Sequence, residues 1–129
     1  MITIDDFAKV EVRVGTLLEV TKVPEADRLL QLIFDFGPLP AEPLEIELLP
    51  ELTEKYPGRQ VRQIMSAIAG FFPDPSVLVG KQIAVCTNLE PRKFKGYVSQ
   101  GMILALGDEE TGLSLLIPEK PVEPGAKLH

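Results

Sequence analysis

Val10-Glu11-Val12-Arg13-Val14-Gly15-Thr16-Leu17-Leu18-Glu19-Val20 opens with strict alternation of apolar and polar residues, the period of a half-buried β-strand. The pattern predicts a strand over 10–14 that continues through Gly15 to Val20. A glycine in mid-strand marks a bulge or a sharp bend, and a small closed barrel needs such bends. Downstream, residues 29–36 predict a second strand, with Leu30, Leu32, Phe34 and Phe36 on one face and Gln31 and Asp35 on the other. Residues 61–69, 83–89, 102–106 and 113–117 predict four more strands, with a turn over 108–112 in which Gly112 can take φ > 0.

Two short helices complete the expected order. Thr3 followed by Asp6 makes a capping-box-like start, and Ile4, Phe7 and Ala8 can then share one face. Residues 74–80 predict a second helix, with Pro75 near its first turn and Gly80 ending it. An all-β chain with a short helix between strands three and four predicts a Greek-key barrel of the oligonucleotide/oligosaccharide-binding type, the OB-fold. Residues 38–58 interrupt the pattern with prolines and acids, and 44–49 reads as either an extra strand or a helical turn. A connection this long is often functional or mobile.

The 129 residues predict one domain over 1–129, with 38–58 as an acidic, proline-rich insertion. No apolar run approaches the roughly 20 residues of a spanning helix. The N-terminus lacks the basic and apolar regions of a signal peptide. The one cysteine, Cys86, sits in an apolar run. These features predict a reducing, cytoplasmic setting without a membrane role.

Net charge is −6, which argues against indiscriminate nucleic-acid binding. The distribution says more. Residues 1–57 carry 12 acids against 5 bases, residues 58–107 carry 2 against 6, and residues 108–129 carry 5 against 2. A cationic middle segment can focus a local field within an acidic chain.

That segment contains Asn88-Leu-Glu-Pro-Arg-Lys-Phe-Lys-Gly-Tyr-Val-Ser-Gln-Gly-Met102. It reads as a Pro/Gly-bounded loop that sets Arg92, Lys93 and Lys95 beside Phe94 and Tyr97. Cations next to aromatic faces suit a polyanion carrying flat rings, and single-stranded or looped RNA is the commonest such ligand. Arg92, Lys93 and Lys95 are the phosphate candidates. Asn88, Ser99 and Gln100 are candidates for ribose, phosphate or base edges. Arg62 on the third strand and Arg28 before the second could reach the same face, and Asp27 would cap the turn or orient Arg28. Phe94 is expected to pack beneath the loop. Catalysis has little support: the single histidine is His129, no Cys/His set suits zinc, no phosphate-cradling glycine loop is present, and no cofactor is expected.

Five segments taken in order resemble one family. They are Asp6-Phe-Ala-Lys-Val-Glu-Val-Arg-Val-Gly15, Pro24-Glu-Ala-Asp-Arg-Leu-Leu30, Arg62-Gln-Ile-Met-Ser-Ala-Ile68, Asn88-Leu-Glu-Pro-Arg-Lys-Phe-Lys-Gly96 and Ser99-Gln-Gly-Met102. Together they resemble the tRNA-binding domain family, found at the C-terminus of many methionyl-tRNA synthetases and as free-standing dimers. The resemblance implies an OB barrel that binds tRNA by shape, as a non-catalytic, stand-alone homodimer that could assist an aminoacyl-tRNA synthetase. It places Met102 on the ligand face and implies dimerisation through the N-terminal helix region and the C-terminal extension. An export-associated chaperone shares the fold, so a protein-interaction reading stands beside the RNA one. The chain departs from the family at Val23-Pro24, where His-Pro is usual, at Ser66-Ala67, where Ser-Gly is usual, and in the length of the 38–58 connection.

Overall fold

The computed structural model describes residues 1–129. As expected, it is all-β. Strands β1 (Val12–Lys22), β2 (Leu30–Pro38), β3 (Arg59–Ser66) and β4 (Gln82–Cys86) join the short β7 (Met102–Ile103) in one curled antiparallel sheet of order β3-β2-β1-β4-β7. The remaining strands form two hairpins, β5 (Arg92–Phe94) with β6 (Tyr97–Ser99) and β8 (Ala105–Asp108) with β9 (Gly112–Leu115).

The alternation in β2 does what its period requires. Leu30, Leu32, Phe34 and Phe36 turn into the barrel and meet Leu17, Ile64, Ile83, Val85 and Ile103 in the main core. Fully burying one such side chain contributes about 1.5–3 kcal/mol. Gly15 belongs to this core for a steric reason: a Cβ there would lie 2.8 Å from the Phe36 ring and 2.9 Å from that of Phe34. The bulge itself is not at Gly15. The register of β1 against β2 shifts between Leu17 and Glu19. Pairing with β2 ends at Thr16, and before that residue the C-terminal segment lies along β1. The Gly125 amide donates to the Val14 carbonyl (2.7 Å), Val14 to Ala126 (2.9 Å), and Leu128 to Val12 (2.9 Å).

Helix α1 (Ile4–Phe7) has the expected capping box, with the Thr3 hydroxyl accepting from the Asp6 amide at 3.1 Å and the Thr3 amide donating back to Asp6. Its apolar face is exposed, together with Met1, Ile2 and Val10. The connection from β3 to β4 holds two 3-10 turns, Ala69–Phe71 and Pro75–Leu78, the second capped by Asp74. Two expectations need correction. The 44–49 stretch is neither strand nor helix; a helix, α2 (Pro50–Lys55), follows it, with Pro50 in its first turn. Leu52 of α2 packs with Ile33 and Val61 on the outer face of β2–β3. The 88–102 loop is the second: its middle is the β5–β6 hairpin.

Candidate nucleic-acid interface

The β5–β6 hairpin closes on two residues, Lys95 (φ 51°) and Gly96 (φ 86°). Positive φ at both central positions gives the backbone twist that suits adjacent strands. Glycine takes this conformation freely, and lysine does so at a cost. Phe94 and Tyr97, opposite each other in the pairing, pack against Val23, Leu29 and Met65. The aromatic pair therefore anchors the hairpin to the β1–β2 turn, as expected for Phe94. The Arg92 guanidinium lies 5.0 Å from the Phe94 ring centroid, a cation–π contact.

Docking the hairpin on the β1–β2 turn leaves a groove of about 580 Å³. Its apolar lining is Ala26, Leu29, Ala67 and Phe94, and its charged lining is Arg28, Lys93, Lys95, Glu25 and Asp27. Arg28, Lys93 and Lys95 come together here from segments more than sixty residues apart. Arg28 pairs with Glu109 at 3.7 Å, with both side chains largely in water, so the pair is weak. Arg92, Lys93 and Lys95 are in no ion pair, and neither are Glu25 and Asp27. Glu25 also holds φ at 64°. A left-handed non-glycine residue on each side of one groove is the kind of local strain that gathers at ligand clamps.

The other candidates lie elsewhere. Arg62 is 7% exposed. Its Nη1 donates to the carbonyls of Thr87 (2.6 Å) and Gln100 (3.2 Å), its guanidinium stands 5.5 Å from the Phe36 ring centroid, and its Nε has no partner. Burial pushes the Arg62 guanidinium down from its ordinary pKa, opposed by the Glu11 carboxylate. Ser99 and Gln100 are buried too. The Ser99 hydroxyl accepts from the Met65 amide (2.9 Å) and donates to the Gly101 carbonyl (3.1 Å). Gln100 Oε1 accepts from the Gln63 amide (3.3 Å), and its Nε2 donates to the Glu47 carbonyl (2.9 Å). With the Gln100 amide donating to the Gln63 carbonyl at 2.8 Å, these contacts weld β3 to the chain entering β7. Asn88 is exposed but engaged, Oδ1 accepting from the Glu11 amide (2.8 Å) and Nδ2 donating to the Lys9 carbonyl (2.7 Å). Met102 projects from β7, half exposed.

A larger cavity, about 800 Å³, lies between residues 40–47 and the barrel mouth. Arg13 and Arg62 are its only cations, against Glu11, Glu42, Glu45, Glu47 and Glu90. Arg13 is already held by Glu11 at 2.9 Å. Acids outnumber cations on this side of the molecule, whereas the hairpin side carries cations outside any ion pair. The sequence reading missed Glu25, Ala26, Leu29 and Ala67 as groove residues. The Pro24–Leu30 segment was visible as a unit, but nothing local in it announces a wall 65 residues away along the chain.

Residues 55–127 match a family described as "Putative tRNA binding domain". The whole chain is 42% identical to part of the methionine–tRNA ligase of Methanoregula boonei, and 98% of it is 41% identical to part of that of Parabacteroides distasonis. It spans 16% of the length of each. Among solved structures, the MetRS-related protein from Pyrococcus horikoshii superposes over all of this chain and 98% of its own, with a TM-score of 0.77 and 28% identity. The CsaA chaperone protein from Picrophilus torridus matches over all of both chains, with a TM-score of 0.73 and 25% identity.

Proposed function

The chain belongs to the tRNA-binding domain family, and from that membership we propose that it binds tRNA by shape, without catalysis, through the groove between the β5–β6 hairpin and the β1–β2 turn. The observation that carries this reading is the meeting of Arg28, Lys93 and Lys95 in one groove, with Arg92 on the same hairpin and the three hairpin cations free of any ion pair, on an otherwise acidic chain. These side chains would neutralise phosphates along a folded backbone. At physiological salt a charge is felt over only about 8 Å, so the distant acids weigh little. Met102, exposed on β7 away from the groove, would be a separate RNA contact. Arg62, Ser99, Gln100 and Asn88 would act indirectly, by holding the hairpin and the seam in place.

About 4–6 neutralised phosphates give a log–log salt slope of roughly −3 to −5. Titration of bulk tRNA across a salt series reads that slope directly. A flat dependence would reject the phosphate clamp. We further propose a cytoplasmic homodimer, in which a second copy covers the exposed Met1, Ile2, Ile4, Phe7 and Leu128, and which delivers tRNA to an aminoacyl-tRNA synthetase. Native mass spectrometry showing only 14.2 kDa species would remove the dimer.

One observation favours a second reading, a chaperone-like protein-interaction module. The acidic 40–47 segment faces a large polar cavity that repels RNA and would suit a protein partner. Pull-downs with and without ribonuclease separate the two. Partners that survive the nuclease, with no tRNA retained, favour this alternative.

A further inference from the structure

Two carboxylates, Glu25 and Asp27, line the proposed tRNA groove beside Arg28, Lys93 and Lys95. A site that gripped only phosphate would gain nothing from them, because each repels the anion. Neither is tied into an ion pair that would explain its position. Glu25 is also held at φ 64°, which a glutamate adopts only at a cost. The same groove has an apolar lining of Ala26, Leu29, Ala67 and Phe94. The volume, about 580 Å³, falls within the roughly 300–1,000 Å³ of small-ligand sites.

Apolar wall, cationic rim and free carboxylate match the three parts of one nucleotide. The wall suits the flat base, the rim suits its phosphates, and a carboxylate accepts hydrogen bonds from a base edge that carries N–H groups. Guanine presents two such donors side by side, N1–H and the N2 amino group, which a carboxylate can take with both oxygens. Uracil has no amino group to offer. We infer that this groove takes one unstacked guanine nucleotide of a single-stranded or looped RNA, with Glu25 or Asp27 reading its Watson–Crick edge. The inference rests on the groove being the RNA site. A guanine can stand in a loop of any tRNA, so it asks for no preference among tRNAs.

The test uses the full chain and fluorescein-labelled hexanucleotides at one fixed salt concentration. The probes are U6, the same chain with one central guanosine, and the same chain with inosine, which lacks the N2 amino group. Expected is about five- to tenfold tighter binding of the guanosine probe than of U6, with inosine between them. Glu25→Gln with Asp27→Asn should raise the affinity for every probe by removing repulsion, yet bring the guanosine-to-uridine ratio close to one. Ala67→Leu, which fills the groove from an exposed position, should also collapse that ratio. Equal binding of U6 and the guanosine probe, or a ratio untouched by both variants, would overturn the inference. In that case a steep salt slope with bulk tRNA would leave the phosphate clamp standing. A flat slope would remove both.

Discussion

The β5–β6 hairpin runs directly into the seam between β3 and β7, yet the two regions treat polar residues in opposite ways. On the hairpin, Arg92, Lys93 and Lys95 stand in solvent without a carboxylate partner. At the seam, Arg62, Ser99 and Gln100 are buried and their hydrogen bonds are directed at the protein itself. A polar residue in a recognition motif can therefore face the ligand or hold the fold. Burial and the hydrogen-bond inventory separate the two roles, and residue type does not.

The contrast can be broken in order of expected effect. Arg62→Ala removes a charged donor from two carbonyls and leaves a hole over Phe36. It should lower unfolding free energy by about 3 kcal/mol, read by chemical denaturation. An unshifted midpoint would mean that the seam holds without this clamp. Gly101→Ala comes next. Its Cβ would sit 2.8 Å from Ile64 Cδ1 and 2.9 Å from the Cys86 carbonyl, where overpacking costs about 1–3 kcal/mol. Gly96→Ala in the hairpin turn meets open space and should suffer only from its φ of 86°, at about 1 kcal/mol. Thermal melts of the two variants compare crowding with backbone strain.

Lys93→Glu with Lys95→Glu should reverse the pattern of the seam variant. Stability should move by no more than about 0.5 kcal/mol. Affinity for all tRNAs should fall at least tenfold, about 1.4 kcal/mol, with the salt slope shallower by about 2. Loss for one tRNA alone would indicate sequence readout and contradict shape recognition. The smallest effect lies on α2. The Tyr56 hydroxyl, and after it Lys55 at 2.9 Å, hold the Glu19 carboxyl below its usual value of 4.5. The same contact pushes Tyr56 up to about 12. A lowered folded-state value means stability that is full above pH 4.5 and drains away as pH falls through the folded value. Glu19→Gln should flatten that acid limb in melts between about pH 3 and 6, by lowering stability slightly at neutral pH and leaving it unchanged in strong acid.

The sequence made the barrel legible where period and burial coincide. In β2 every second residue is large and apolar, and all four of those residues are interior. The hairpin escaped because its strands are three residues each, too short to show a period, and the first carries two charges. What holds them is Phe94 and Tyr97 against Val23, Leu29 and Met65, a contact between distant segments. Helix α2 escaped for a related reason: Pro50 favours a helix start, but the surrounding prolines read as linker. Ser99 and Gln100 looked like ligand contacts because the partners that bury them, residues 63–65 and 47, lie decades of residues upstream.

The segment that runs beside β1 has one more consequence. Val12 and Val14 exchange main-chain hydrogen bonds with Gly125, Ala126 and Leu128, so the tail serves as a substitute strand. A chain shortened before Val122 would bare those amides and carbonyls as an open edge, ready to recruit another polypeptide. Such a truncation should fail by self-association rather than by unfolding, with light scattering rising while the far-ultraviolet β signal persists.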